Sequence, residues 1–211
     1  MVKSGLVALI AIATALVSFE AGKLYYFAYF STPEKSAELP EGAHAALVLA
    51  GDSQTANFPT VEYFGAGTVN EGVNGNTSTL VFERIRRVMR TKPDKLFIEC
   101  GINDLRFHVP VDTLLTVYNA ILDSVAYLSP STEVFVQSIF PSNGKFTWLM
   151  PRIEEANARL NRLAAKRRLH YVDVFSRLGG NMGLKADVTT DGIHLNKSGY
   201  DIWASEVKKY I

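Results

Sequence analysis

Residues 45–55 read Ala-Ala-Leu-Val-Leu-Ala-Gly-Asp-Ser-Gln-Thr, an apolar run that ends abruptly at Gly51 and a polar turn. Six apolar residues closed by glycine read as a buried strand, Ala45 to Ala50, stopping at a turn. The same grammar returns along the chain. Lys95 to Cys100 (KLFIEC) stops at Gly101, and Thr132 to Phe140 (TEVFVQSIF) stops at Pro141. His170 to Phe175 reads as another strand, and a weaker one lies near Thr68-Val69.

Helical periodicity fills the intervals. Leu80, Val81, Ile85 and Val88 recur at helical spacing within Asn76 to Arg90, where Asn76 or Thr77 can cap the first turn. Val111 to Leu128 is helical and ends before Pro130. Pro151 to Arg168 starts with proline in its first turn and puts Ile153, Ala156, Leu160, Leu163 and Ala164 on one face. Ser198 to Tyr210 makes a last helix. Strands alternating with helices predict an α/β domain, with a parallel sheet covered on both faces and right-handed crossovers. In such sheets the working site lies beyond the carboxyl ends of the strands. Five loops then matter: Gly51 to Thr55, Asn70 to Thr77, Gly101 to His108, Pro141 to Thr147 and Leu178 to Asn196.

Composition narrows the function classes. The chain has 211 residues, 47% hydrophobic and 20% charged, enough for one full core plus a small extra segment. With 15 Gly, 8 Pro and no visible repeat, it is neither collagen-like nor disordered in composition. Lys and Arg total 22 against 21 Asp and Glu, a balance that argues against a nucleic-acid surface. Cys100, the single cysteine, excludes an internal disulfide and a cysteine-rich zinc site.

Met1 to Phe30 belongs to another physical class. Gly5 to Phe19 carries no charge, Glu20 and Lys23 interrupt, and Leu24 to Phe30 is apolar and aromatic again. As a helix rising about 1.5 Å per residue, the segment is long enough to cross a hydrocarbon layer of about 30 Å. Ala13-Thr14-Ala15 has a signal-cleavage pattern but sits inside the apolar run. The reading favours an uncleaved membrane anchor over a cleaved signal peptide, with the N-terminus in the cytoplasm and the domain outside it, periplasmic or at the cell surface; cleavage would make the protein secreted. Residues 31–44, with Pro33, Pro40 and alternating charges, read as a linker, and the domain spans 45–211.

The loops carry an acyl-transfer constellation. Ser53 stands just past a strand end, where a helix begins and its own N–H can face an anion. Asp191 precedes His194 by three residues, so its carboxylate can hold one ring nitrogen and leave the other to face the serine. Asn70 to Thr77 is rich in Gly and Asn and offers the Gly75 N–H; Asn103 offers a side-chain amide. Alone, each loop also reads as an ordinary turn or cap. Four of them at one sheet edge bring nucleophile, base, orienter and anion donors together.

Gly51-Asp52-Ser53, Gly75, Gly101-Ile102-Asn103-Asp104 and Asp191-Gly192-Ile193-His194 resemble the ordered blocks of the SGNH (GDSL-type) hydrolase family. Gly199, Tyr200 and Trp203 are similar to that family's last helix, and the resemblance covers Ala45 to Ile211. It implies a three-layer, flavodoxin-like fold with about five parallel strands, and an esterase or lipase working without metal or cofactor. Carried over by position, Ser53 is the nucleophile, His194 the general base and acid, and Asp191 its orienter. The Ser53 and Gly75 N–H groups and the Asn103 amide form the oxyanion hole. Gln54 stands where members often have Leu, a change at the cleft wall with no expected effect on chemistry. The second half is most like small acetylhydrolase-type members, which favours a short acyl group on a carbohydrate or lipid. A lysophospholipase or thioesterase is the alternative, and a binding module for acylated glycans or nucleotides is the alternative of another class. No G-x-G-x-x-G or P-loop pattern follows the first strand.

Other residues are expected in supporting places. Asp104 is expected to bond backbone within its own turn. His108 reads as a solvated loop residue with access to substrate. Phe146 and Trp148 line a pocket or cover the core. His44, His170 and Cys100 read as structural.

Overall fold

The computed structural model describes residues 44–211. The expected anchor at 1–30 and the linker through residue 43 lie outside the described residues. Among the described residues, no helix is long and apolar enough to cross a membrane.

Five parallel strands form one sheet: β1 Leu47–Gly51, β2 Thr68–Gly72, β3 Lys95–Glu99, β4 Glu133–Gln137 and β5 His170–Val172. Their order is β2-β1-β3-β4-β5, the flavodoxin-like arrangement. Gly51 pairs in register with Gly72 on one side and Glu99 on the other, so β1, β2 and β3 end in one row. Ser53, the 73–77 loop and the 101–104 turn follow from that row.

Alternation along the strands builds two cores. Val48, Ala50, Leu96, Ile98, Val134 and Val136 face helices α3 (Ser78–Val88), α5 (Val111–Leu128) and α6 (Met150–Arg167). Leu47, Leu49, Phe97, Phe135 and Val172 face α7 (Val174–Leu178) and α8 (Lys197–Val207), with the fully buried Trp203 stacked on Phe58. Three layers follow, because each strand buries both its faces. Truncating a side chain such as Ile98 or Leu160 to Ala would destabilise the fold by about 2–5 kcal/mol.

Several expected boundaries move. The weak strand at Thr68-Val69 extends to Gly72, taking Asn70 and Glu71 out of the loop. β5 stops at Val172 rather than Phe175, because the Asp173 side chain accepts the Ser176 N–H and caps α7. β4 ends at Gln137, and 138–143 run on without strand pairing. Three further short helices lie where loops or nothing were expected: α1 Ser53–Ala56, α2 Thr60–Phe64 and α4 Ile102–Arg106. Each is a single turn, too short for periodicity to reveal.

Candidate active site

Ser53 opens α1. Asp52 caps that turn by accepting the Gln54 N–H at 3.0 Å, and the first-turn N–H of Ser53 has no intrahelical acceptor. The turn packs tightly on its neighbours: a Cβ on Gly72 would lie 2.1 Å from the Ala56 nitrogen. Ser53 Oγ is 3.1 Å from His194 Nε2, although 141 residues separate them.

His194 is held by its own loop. Asp191 Oδ2 lies 2.8 Å from His194 Nδ1. Asp191 Oδ1 accepts the N–H groups of Ile193 at 3.0 Å and His194 at 2.8 Å. Partial burial pushes the Asp191 carboxyl up, but the hydrogen bonds from the His194 ring and these two amides outweigh it and hold it at about 2. An ionised carboxylate only accepts, so Nδ1 carries the ring proton and Nε2 offers its lone pair to Ser53. The Thr189 hydroxyl and Thr190 N–H donate to the His194 carbonyl at 2.7 and 3.0 Å. Gly192 has φ +93°, and a Cβ there would meet Asn143 Oδ1 at 2.7 Å, so no other residue fits this turn.

The expected anion donors stand on the loops that follow β2 and β3, at the sheet edge from which the Ser53 turn also leaves β1. Asn103 is 3% exposed and donates one amide hydrogen to the Asn76 carbonyl at 3.0 Å, which leaves the second for a ligand. That bond ties the 101–104 turn to the loop holding Gly75, whose φ is +72°. Arg84 from α3 braces this loop from behind, donating to Asn76 Oδ1, the Glu71 carbonyl and the Gly51 carbonyl. Arg106 donates to Asn103 Oδ1 at 3.3 Å, which orients the amide.

Two sequence expectations are corrected. Gln54 is not on the cleft wall. It is 2% exposed, donates from Nε2 to the Ile193 carbonyl at 2.5 Å and accepts the Leu195 N–H at 3.3 Å. It grips the chain on both sides of His194, a role no local pattern could reveal. Asp104 does not act within its own turn alone: it accepts the Ser78 N–H at 2.8 Å and the Ser78 hydroxyl at 2.6 Å, capping α3 from another loop. Burial pushes Asp104 up to about 6.

Two of the secondary candidates, His108 and Trp148, meet at an exposed rim of the fold. His108 is exposed, with φ +59°, and its ring lies 5.4 Å from that of Trp148, which is 48% exposed. Phe146 is half-buried against the core, flanked by Arg106 and Lys145 at 5.5 and 5.0 Å from its ring centre. Arg152 secures this rim by donating to the Leu105 and Val109 carbonyls. Cys100 is buried with its sulfur near the Tyr118 hydroxyl, and burial pushes its thiol up. His44 pairs with Asp94, and His170 pairs with Glu133 and stacks on Phe135; neither reaches the site. Among the described residues, no group of three His, Cys, Asp or Glu side chains is placed to hold a metal ion.

Several solved structures share this fold. No curated protein matches the chain in sequence. A candidate platelet activating factor from Streptococcus pneumonia is 26% identical, with a TM-score of 0.72 and 98% of each chain covered. A GDSL-like lipase from Bacteroides thetaiotaomicron is 21% identical, with a TM-score of 0.71 over 77% of this chain and 85% of that one. An acetylxylan esterase from Geobacillus stearothermophilus, solved as a catalytic mutant, is 17% identical, with a TM-score of 0.65 over 80% of this chain and 94% of that one. The family model described as GDSL-like Lipase/Acylhydrolase matches residues 49–202, and with the fold and the Ser53, His194 and Asp191 arrangement in view, the chain belongs to that family.

Proposed function

We propose that this chain is a serine ester hydrolase that cleaves short acyl esters of a carbohydrate or lipid through an acyl-serine intermediate. The observation that carries the reading is the pair of contacts at His194, 3.1 Å to Ser53 Oγ and 2.8 Å to Asp191 Oδ2. Ser53 Oγ attacks the ester carbonyl while His194 Nε2 takes its proton. The Ser53 N–H, the Gly75 N–H and the free Asn103 amide hydrogen hold the oxyanion. The alcohol leaves with the proton from His194, and water, activated by the same imidazole, releases the acid from Ser53. Asp191 stays ionised throughout and stabilises the imidazolium that forms in each step.

The similarity to an acetylxylan esterase supports a short acyl group, and the exposed Trp148 and His108 rings suit the alcohol side of such a substrate. The hydrophobic stretch at 1–30 supports tethering to a membrane with the domain on the outer side, near envelope glycans and lipids.

Covalent labelling tests the chemistry. A fluorophosphonate probe should add once to the wild type and not to Ser53→Ala, read by intact mass. Absence of label on folded wild type would overturn the reading. A panel of p-nitrophenyl esters from acetate to palmitate, with acetylated xylo-oligosaccharides and a lysophospholipid, then ranks acyl length and alcohol. Membrane fractionation and surface proteolysis of the full chain test the tether and its orientation.

A further inference from the structure

Buried polar atoms without a well-aligned hydrogen-bond partner collect under the Ser53 turn. They are Asp52 Oδ2, Thr55 Oγ1 and both carboxyl oxygens of Glu99. All three residues are almost wholly buried, at 0% exposure for Asp52 and Thr55 and 1% for Glu99. Glu99 ends β3 directly opposite Gly51, and where a Cβ on Gly51 would sit, Thr55 Oγ1 is only 2.3 Å away. The Glu99 carbonyl at the end of β3 and the Thr55 hydroxyl thus crowd Gly51, directly before the turn that carries the nucleophile. On the other side Gln137, which ends β4, has its oxygen taken by the Trp203 N–H at 2.7 Å and its amide nitrogen without a partner.

Burial, and then the Asp52 charge, press the Glu99 carboxyl to hold a proton at the end of the β1–β3 pair, where Asp52 Oδ2 and both Glu99 carboxyl oxygens stand buried without hydrogen-bond partners. Two ionised carboxylates in contact and out of water repel strongly, and one proton between them turns the repulsion into a hydrogen bond. The surroundings decide which residue holds it. Burial pushes Asp52 up to about 7, while its Oδ1 accepts the Gln54 N–H and Arg106 favours its charge. Glu99 has only the poorly aligned Thr55 hydroxyl beside it.

We propose that Glu99 keeps its proton at neutral pH and donates it to Asp52 Oδ2, so that this shared proton holds the Asp52 cap and, through it, the Ser53 turn in working position. Glu99 is then a positioning residue that acts through Asp52. The inference rests on the reading of Ser53 as nucleophile.

The other ionisable groups facing the pair are Asp104 and Arg106 from α4, Cys100 after β3, Tyr118 from α5 and Tyr200 from α8. Burial raises Glu99 well above the ordinary carboxylate range, with Asp52 adding to it. The sign follows. The folded state keeps a proton that the unfolded chain gives up near pH 4, so the pair's contribution is complete below about pH 4 and is lost as pH rises through the folded value.

Glu99→Gln and Glu99→Leu in the full chain test this. Gln keeps a donor toward Asp52 but cannot ionise. It should retain kcat within about threefold, keep KM, and remove the part of the stability decline that continues above about pH 6, where Asp104 has already titrated. Leu removes the donor and should lower kcat by about tenfold or more with KM little changed, as expected when a buried hydrogen bond is lost. The infrared band of a protonated carboxyl should be present in wild type at about pH 8 and absent in Glu99→Gln; Asp104, which titrates near 6, is ionised there. Loss of activity in Glu99→Gln equal to that in Glu99→Leu would overturn the proposal, as would a protonated-carboxyl band that persists in Glu99→Gln. If Glu99→Leu fails to fold, Glu99→Gln carries the test alone. The infrared band and the pH–stability slope need no turnover, so they still read the proton if Ser53 proves not to be the nucleophile.

Discussion

Gln54 Nε2 donates to the Ile193 carbonyl at 2.5 Å, so the residue after Ser53 grips the residue before His194. Its Oε1 takes the Leu195 N–H on the other side of His194, and the Tyr200 hydroxyl donates to the Gln54 carbonyl at 3.1 Å. Two loops 139 residues apart are thereby locked in one register, which sets the 3.1 Å Ser53 to His194 distance.

Gln54→Leu should therefore act on catalysis more than on binding. It leaves the Ile193 carbonyl and the Leu195 N–H buried without partners, a loss of about 1–3 kcal/mol each. The expected result is a lower melting temperature and a kcat reduced by about tenfold or more with KM little changed. Kinetics on a soluble p-nitrophenyl ester, with a thermal melt, check both. Unchanged kcat would show that the Asp191 to His194 turn holds its register unaided.

Asp191→Asn should weaken turnover by less than the roughly 10⁴-fold seen when a serine-protease triad loses this charge. Thr189 and Thr190 still hold the His194 carbonyl, so the ring keeps its place while losing its charge partner. Because Asp191 sits at about 2, lowered by the bonds from His194 and Ile193 despite partial burial, it stays ionised through the useful pH range. Its native contribution to stability is present above about pH 4 and is lost only as pH falls through about 2. A pH–rate profile of the wild type should show no limb from this carboxyl near pH 4.

Asn103→Ala should reduce kcat by about 10²–10³-fold, the usual effect of removing one oxyanion donor. Arg106→Leu should reduce it less, since Arg106 touches only the Asn103 oxygen and the amide keeps its bond to Asn76. Steady-state kinetics of the two variants and the double variant show whether Arg106 acts through Asn103. Additive losses would exclude that coupling.

Asp104→Asn should lower stability at acid and neutral pH by about 1–3 kcal/mol, because one of the two bonds to Ser78 is weakened. Burial raises Asp104 to about 6, above its unfolded value near 4. The protonated form therefore adds stability that is complete below about pH 4 and is lost as pH rises through about 6. The variant removes that slope, which chemical denaturation at a series of pH values measures.

Trp148→Ala should raise KM for bulky alcohol esters and leave kcat on small activated esters unchanged, since the ring is exposed at the rim and touches His108 rather than the reacting groups. Equal effects on both substrate types would exclude a role for this rim in alcohol binding.

The three strong strands, the four long helices and the residues of the four loops were legible in the sequence. Apolar runs ending at Gly51 and Gly101, and helical recurrence in α3, α5 and α6, are local signals that survive without neighbours. The Asp191 to His194 turn is local as well, since carboxylate and ring lie three residues apart. Other features have no local trace. The edge strand β2 is made by pairing with β1, and β5 is cut short by the Asp173 cap. The roles of Gln54, Asp104, Arg84 and Glu99 depend on partners far along the chain, so their neighbours in sequence carry no sign of them. What the sequence by itself determined is the alternation of elements and the loops that carry Ser53, Asp191 and His194, because burial periodicity and turn chemistry act over a few residues. Only the tertiary structure decided the 3.1 Å approach of Ser53 to His194, and which buried polar groups hold it, because hydrogen-bond geometry and desolvation are set by atoms that packing alone brings together.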